Sequence, residues 1–147
     1  MIISQEIQVR WADLDQNRHL RHSVYYDYAA MARFQFLSDH GLTTHKLEEL
    51  NIGPILFREE AVFRREIRME DKLVIETGVL KARKDYSRWT IHHRIIKNDD
   101  VLAAIITVDG AWLDTEKRKL VIPNDSVQSV FSTLPKAEEF EWLEPKG

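Results

Sequence analysis

The sequence predicts a single α+β domain in which an antiparallel sheet of about five strands packs on one long helix. Its 147 residues suit one domain. One strand pattern precedes a long helical segment, and four strand patterns follow it. The links between those four strands are only two or three residues long. Such short links favour antiparallel neighbours, because parallel crossovers need about a dozen residues or more.

The first strand and the long helix flank a polar loop. Residues 2–11 alternate partly between apolar and polar types, which predicts a strand. Residues 12–22 form a loop without glycine or proline. A helix is predicted over residues 23–40, with Ser23 as its cap and Gly41 as its stop. Its apolar residues cover more than one stripe, so we expect the sheet to enclose it.

The second part of the chain supplies most of the sheet. A short helix is expected at residues 45–50. The four strands are expected over residues 55–68, 72–84, 87–97 and 101–113. The tail from Pro123 to Gly147 predicts one or two short surface helices. One helix cannot cover both faces of such a sheet, so an exposed face and free edges favour a partner subunit. We therefore expect a homodimer or a homotetramer.

Composition and charge narrow the possible functions. The chain has no cysteine, which excludes disulfides, thiolate metal sites and a cysteine nucleophile. Its net charge of −3 gives no basic excess, so we expect no nucleic-acid partner. No basic segment followed by an apolar stretch opens the chain, and no apolar run approaches the ~18–20 residues that span a bilayer. We expect a cytoplasmic protein with no membrane partner.

The loop before the long helix carries residues suited to acyl chemistry. Asp15 and His22 lie in it, just before a helix start whose first N–H groups lack partners within the helix. Such amides and the helix dipole can stabilise a carbonyl oxygen as it becomes an oxyanion. A nearby carboxylate can attack the carbonyl carbon or take a proton from water.

This segment resembles the signature of the 4-hydroxybenzoyl-CoA thioesterase-like branch of the hotdog superfamily. The matching residues are Trp11, Asp13, Asp15, His19, His22, Tyr25 and Ala32-Arg33. The similarity covers about residues 3–130 of a single domain and leaves residues 131–147 as a tail. It implies a hotdog fold, a long helix wrapped by an antiparallel sheet. It also implies hydrolysis of an acyl-CoA or acyl-carrier-protein thioester, with no cofactor and no metal.

The resemblance also assigns roles to residues. The second acid of the family motif is the catalytic carboxylate, which falls on Asp15. In one subgroup a histidine seven residues later assists, and that position is His22. We expect helix-start amides near Ser23 to polarise the carbonyl and Tyr25 to line the acyl pocket. We expect the site to lie at a subunit interface, with Asp15 supplied by one subunit near the end of the helix.

Two positions depart from the family pattern. Arg18 stands where glycine is usual, which leaves the loop shape and substrate access open. Trp11 stands where the subgroup with the assisting histidine often has tyrosine, so a phenol donor is missing. These departures keep a second hypothesis, a non-catalytic hotdog protein that binds an acyl-CoA-type ligand. A third is an interaction domain without a small ligand.

A basic cluster surrounds one predicted hairpin. Its members are Lys81, Arg83, Lys84 and Arg88. Solvated turns commonly have this composition. The functional alternative is a binding site for the phosphates of coenzyme A, in which we place Lys84 and Arg88, because both side chain types suit phosphate oxygens.

Four residues of the loop also invite a metal hypothesis. Asp13, Asp15, His19 and His22 carry suitable ligand types, but their spacing matches no known metal motif. We expect instead that Asp13 fixes the loop and that His19 is structural. The sequence leaves open which acyl group is bound and which carrier holds it. It also leaves open whether the carboxylate acts as nucleophile or general base, and whether the protein is a dimer or a tetramer.

Overall fold

An antiparallel sheet curls around one long helix in the computed structural model, which describes residues 3–144. The strands are β1 (Ile3–Ile7), β2 (Ile52–Phe63), β3 (Leu73–Ala82), β4 (Arg88–Lys97), β5 (Val101–Asp114), β6 (Lys119–Leu120) and β7 (Lys136–Trp142). The helices are α1 (Val24–Asp39), α2 (Thr44–Glu49) and α3 (Asp125–Ser132), and a 3₁₀ turn spans Trp11–Asp13. The predicted α+β hotdog class is confirmed.

The main path of the sheet has the order β1-β3-β4-β5-β2, and every pair along it is antiparallel. Two short strands extend this path, β6 beside β5 and β7 parallel to β3. The expected five strands thus form the main path. Strand β2 is an edge of the sheet, paired on one side only among residues 3–144.

The register gives the sheet two ends that matter for the site. The end where residues 8–22 leave β1, here called the loop end, holds Ile7, Phe63, Leu73, Lys97 and Val101. The opposite end, here called the hairpin end, holds Ile52, Ala82, Arg88 and Asp114. The turn between β3 and β4 closes the hairpin end.

The core lies between α1 and the inner face of the sheet. On α1 the buried residues are Val24, Tyr25, Tyr28, Ala29, Ala32 and Phe36. Ile75, Ile95 and Ile106 oppose them from three adjacent strands and are fully buried. Burying each such isoleucine stabilises the fold by about 1.5–3 kcal/mol. As predicted, Gly41 follows α1 with a left-handed φ of 93°.

The start of α1 corrects the predicted cap. Ser23 has helical backbone angles, φ −70° and ψ −25°, and its side chain makes no capping hydrogen bond. Its hydroxyl instead accepts from Nε of Arg21 at 3.1 Å. A turn precedes the helix, in which the Val24 amide donates to the Arg21 carbonyl at 3.0 Å. The prediction of Ser23 as a capping side chain was therefore wrong.

The tail also differs from the prediction of surface helices only. One helix, α3, forms there, capped by the Asn124 side chain, which accepts from the Val127 amide at 3.0 Å. It buries Val127 and Phe131 and so belongs to the core. Strand β7 follows α3 in the described tail. Residues 145–147 lie outside the described part of the chain.

Candidate active site

Asp15 organises the loop between β1 and α1 through its own hydrogen bonds. Its Oδ1 accepts from the Asn17 amide at 2.8 Å and from the His19 amide at 3.1 Å. Its backbone N–H donates to the His19 carbonyl at 2.8 Å. Both side-chain bonds use one carboxylate oxygen. Oδ2 carries no hydrogen bond within residues 3–144, and the residue is exposed.

Arg18 explains how the loop keeps its shape without the expected glycine. Its φ is 65°, in the left-handed region that glycine occupies most easily. Its amide donates to the Asp15 carbonyl at 3.1 Å and closes the turn. This conformation is less favourable for a non-glycine residue by about 1–2 kcal/mol. Arg18 in place of glycine therefore keeps the turn and lowers the stability of the fold.

An open cleft lies beside Asp15. Its volume is about 680 Å³, and its lining residues are Trp11, Leu14, Asp15, Arg18, Arg68, Met69 and Glu70. Near this cleft, Nε2 of His19 pairs with Oε2 of Glu66 at 2.9 Å. The sequence reasoning missed Glu66 and Arg68, because they follow β2 and reach the loop only once the sheet has formed.

Asp13 is the structural acid of the loop. It is 1% exposed, and its carboxylate accepts from Nε and Nη2 of Arg10 at 2.9 and 2.7 Å. The Tyr28 hydroxyl donates to it at 2.8 Å. The hydrogen bonds from Arg10, followed by that from Tyr28, lower the pKa of Asp13. These contacts fit the expected loop-fixing role and anchor the loop to α1.

Acid should destabilise the fold through Asp13. Because its pKa is lower in the folded chain than in the unfolded chain, its stabilisation is present above the unfolded value of 3.8. It is lost as the pH falls through the folded pKa. We expect Asp13→Asn to lower the free energy of unfolding at pH 7 by about 1–3 kcal/mol. The acid dependence below pH ~5 should also flatten.

Chemical denaturation between pH 3 and pH 7 measures both effects. If the free energy of unfolding falls equally steeply with decreasing pH in the wild type and in Asp13→Asn, the assignment of Asp13 is contradicted.

An apolar pocket of about 360 Å³ lies between α1, α2 and the inner face of the sheet. Its lining residues are Ala30, Arg33, Phe34, Phe36, Leu37, Leu42, Thr44, Leu47, Pro54, Leu56, Thr77, Trp89, Ile91, Trp112, Phe131 and Leu134. Phe131 closes it by packing on Trp89 and Trp112, with ring centroids 5.5 and 5.9 Å apart. The pocket occupies the hairpin half of the sheet. Its apolar walls suit a hydrocarbon or aromatic group.

A second open cleft at the hairpin end contains the two predicted phosphate-binding residues. Lys84 and Arg88 line it together with Arg83, Asp85, Ser87, Leu120, Val121, Ile122, Trp142, Leu143 and Glu144. Its volume is about 810 Å³. The Arg88 guanidinium lies 4.7 Å from the ring centroid of Phe57. The structure thus brings Lys84 and Arg88 to one cavity.

Comparison with known proteins agrees with this geometry. The profile described as the Thioesterase-like superfamily matches residues 9–131. The chain belongs to this superfamily. The resemblance drawn from the loop motif is thereby confirmed, and it places the chain among thioester hydrolases at the level of the family. The comparison with curated proteins gave no match.

Solved structures share the fold of this thioesterase-like protein. A hypothetical protein from Staphylococcus aureus, described in complex with CoA, is 18% identical with a TM-score of 0.83, over 95% of this chain and 91% of that one. A DHNA-CoA thioesterase from the same organism is 18% identical, TM-score 0.79, covering 89% of each chain. A 1,4-dihydroxy-2-naphthoyl-CoA thioesterase from Synechocystis is 17% identical, TM-score 0.80, over 91% and 98%.

The predicted site residues of the thioesterase-like chain do not all meet within one protomer. Asp15 lies at the loop end, whereas Lys84 and Arg88 lie at the hairpin end. Strand β3 runs between these ends with ten residues, a length of roughly 30 Å. A single ligand that contacts all three residues would need a second chain.

The other predicted residues lie at the start of α1. His22 is exposed, and within residues 3–144 no hydrogen bond or ion pair joins its side chain to Asp15. Tyr25 is 3% exposed and packs edge-on against Phe63 at 4.9 Å, so it lines none of the cavities described above. Burial, with smaller contributions from the charges of Asp15 and Glu66, raises the pKa of Tyr25 to about 12. The Tyr25 phenol therefore stays protonated at neutral pH.

Neither a metal cluster nor a membrane span is found in the described part of the chain. No group of three or more histidine, aspartate or glutamate side chains there is arranged to hold a metal ion. None of the helices within residues 3–144 combines the length and the apolar composition that a membrane crossing requires.

Proposed function

We propose that the protein hydrolyses acyl-CoA thioesters, with Asp15 as the catalytic carboxylate. The observation that carries the proposal is the placement of this side chain in a thioesterase-like chain. Asp15 stands exposed on an open cleft in the loop that leads to α1, and its Oδ2 is not used by the loop. The loop itself holds the carboxylate in place through Oδ1.

The reaction needs a carbonyl oxygen at the start of α1 and its carbon beside Asp15. Amides of the first helical turn then stabilise the developing negative charge, apart from that of Val24, which donates to the Arg21 carbonyl. In one route, Oδ2 attacks the carbonyl carbon, the carbon–sulfur bond breaks, and a mixed anhydride and a thiolate form. Water then hydrolyses the anhydride. In the other route, the carboxylate takes a proton from water, whose oxygen attacks the carbonyl carbon. The carbon–sulfur bond then breaks, and the released thiolate recovers the proton as the free acid departs.

A homodimer joined at β2 would complete the site. Strand β2 is twelve residues long, and its outer edge is unpaired among the described residues. Four of its large apolar side chains are exposed, namely Leu56, Phe57, Val62 and Phe63. Long edges with exposed apolar residues favour pairing with another strand.

The register of such a dimer brings the separated residues together. Two β2 strands related by a two-fold axis run antiparallel, so the loop end of one protomer lies beside the hairpin end of the other. Asp15 of one subunit then approaches the apolar pocket of its partner. It also approaches the partner subunit's Lys84 and Arg88. The acyl group would occupy the pocket, and the phosphates of coenzyme A would face the basic cleft.

Sedimentation tests this assembly. We expect the wild type to be a dimer or a tetramer at micromolar concentration. Val62→Lys should weaken the association at least ~10-fold, since a lysine on an edge strand opposes pairing. The matched variant Val62→Thr keeps the shape and the strand propensity and should stay associated. A monomeric wild type would contradict the assembly.

The basic cleft predicts a defect in substrate affinity. Lys84→Glu combined with Arg88→Glu should raise KM for an acyl-CoA at least ~10-fold, because charge-assisted hydrogen bonds to phosphate become repulsion. The turnover number should change little. Lys117→Glu with Arg118→Glu makes the same charge change on a nearby exposed turn and serves as the control. An unchanged KM in the cleft variant would remove the phosphate assignment.

A thiol-release assay over a panel of acyl-CoAs tests the function itself. We expect turnover with at least one member and release of equal amounts of acid and thiol. Stabilisation by coenzyme A without thiol release from any member would identify an acyl-CoA-binding protein instead. If the protein neither releases thiol nor is stabilised by coenzyme A, the interaction-domain hypothesis remains.

A further inference from the structure

An arginine side chain faces the apolar pocket from α1. Arg33 and Thr77 are polar residues among lining side chains that are nearly all apolar. Nη1 of Arg33 lies 3.0 Å from Nε2 of His93, and Oγ1 of Thr77 lies 2.8 Å from Nδ1 of the same ring. His93 is fully buried. A hydrogen-bonded row of three side chains therefore ends in a guanidinium on the pocket wall.

The direction of each hydrogen bond in this row follows from chemistry. A guanidinium can only donate, so Nε2 of His93 accepts from Arg33. The histidine proton then resides on Nδ1 and is donated to Thr77. Burial, followed by the neighbouring charge of Arg33, lowers the pKa of His93 well below its usual value. His93 is therefore neutral, and it orients the guanidinium without cancelling its charge.

The charge on Arg33 has no counter-ion within residues 3–144. The ion pairs found there include no contact of Arg33 with a carboxylate within 4.0 Å. Glu59 on β2 raises the pKa of Arg33, but less than burial lowers it, and the two residues form no ion pair. A partly buried charge without a partner is unfavourable. The remaining N–H donors of the guanidinium form a fork that matches a carboxylate.

The walls of the pocket supply no negative charge to balance Arg33. No acidic side chain lines the pocket. The indole N–H groups of Trp89 and Trp112 are buried away from the pocket surface, so the guanidinium is the charged donor that a guest would meet. A guest with an apolar body and a negatively charged group is complementary to this surface.

We propose that the apolar pocket takes an acyl group that itself carries a carboxylate, and that Arg33 binds that carboxylate. The substrate class is then the coenzyme A monothioester of a dicarboxylic acid. The proposal rests on the proposed thioester hydrolysis. Within it, Arg33 determines specificity, while His93 and Thr77 position Arg33.

Matched substrates test the proposal directly. Adipoyl-CoA and hexanoyl-CoA have the same chain length and differ in the terminal carboxylate, and succinyl-CoA with butyryl-CoA and suberoyl-CoA with octanoyl-CoA extend the series. We expect kcat/KM of the wild type to favour the carboxylated member of at least one pair by ~10-fold or more. A preference for the neutral member of every pair would overturn the proposal.

Variants at position 33 assign the preference to the guanidinium. Arg33→Met removes the charge and keeps much of the side-chain length. It should shift the kcat/KM ratio toward the neutral substrate by at least ~10-fold, whereas Arg33→Lys should retain part of the preference for the carboxylated substrate. The control is Arg94→Met, which removes an arginine paired with Glu76 at 3.4 Å. It should leave the ratio unchanged. If Arg33→Met does not fold, the kcat/KM ratios of the wild type and of Arg33→Lys still test the proposal.

Two further outcomes separate this proposal from the others. If no thioester is hydrolysed, thermal unfolding with free adipate and free hexanoate tests the pocket alone. A larger rise in Tm with adipate that Arg33→Met abolishes supports the pocket, and equal rises overturn it. If Arg33→Met changes sedimentation but not the substrate ratio, Arg33 contacts the partner subunit, and the proposal fails while thioester hydrolysis stands.

Discussion

Replacing Asp15 with asparagine is expected to reduce thioester hydrolysis at least ~100-fold, because the carboxylate is either the nucleophile or the base in both proposed routes. Such a loss corresponds to about 2.7 kcal/mol of barrier. An asparagine Oδ1 can still accept from the amides of Asn17 and His19, so the loop should keep its shape. The substitution therefore removes the charge and leaves the turn.

The measurement is kcat with the best substrate of the acyl-CoA panel, together with the free energy of unfolding. Asp13→Asn is the matched control, since it changes the same functional group two residues away. It should lower stability and leave the turnover of the folded enzyme within a few fold. Asp15→Asn should lower turnover and leave the free energy of unfolding within about 0.5 kcal/mol of the wild type. Full activity in Asp15→Asn would refute the catalytic assignment.

The same residue allows the two routes to be separated. In a single turnover in heavy-oxygen water, label that enters the Asp15 carboxylate indicates the mixed anhydride. Label found only in the released acid is the outcome expected of a general base.

The secondary structure was predictable wherever one pattern dominated. The helix pattern of α1 and the alternation along β3 and β4 located those elements. Neighbouring residues of a strand point to opposite faces, and accordingly His93 is fully buried while His92 is half-buried. Local patterns failed at Ser23, where the guanidinium of Arg21 holds the hydroxyl. They also missed β7, which is fixed by pairing with a distant strand.

The candidate site was predictable only where it is local in sequence. Asp13 and Asp15 lie in one short loop, so a motif can represent both. The row of Arg33, Thr77 and His93 cannot be found this way, because its hydrogen bonds span 60 and 16 residues. The register of the sheet pairs Thr77 with His93, and the packing of α1 on the sheet brings Arg33 to them. The same register separates Asp15 from Lys84 and Arg88 within one protomer.

The pocket itself depends on a glycine, and Gly110→Ala should be the most destabilising conservative change in the sheet. A Cβ at Gly110 would overlap the ring of Trp89 and lie 2.7 Å from the carbonyl oxygen of Ile55. That oxygen belongs to β2, which is paired with β5 at this point, so it cannot move without breaking the ladder. Overpacking of this kind costs about 3 kcal/mol or more. In a chain of this size, Tm should fall by roughly 6–12 °C.

Gly78→Ala provides the comparison, because a Cβ there meets backbone atoms of the tail no closer than 3.5 Å, an ordinary contact. It should unfold within a few degrees of the wild type. Since Trp89 lines the pocket, the Gly110→Ala protein that remains folded should also discriminate less between acyl chain lengths. Equal Tm values for Gly110→Ala and Gly78→Ala would mean that β2 and Trp89 can shift apart at little cost. The pocket would then be a deformable space.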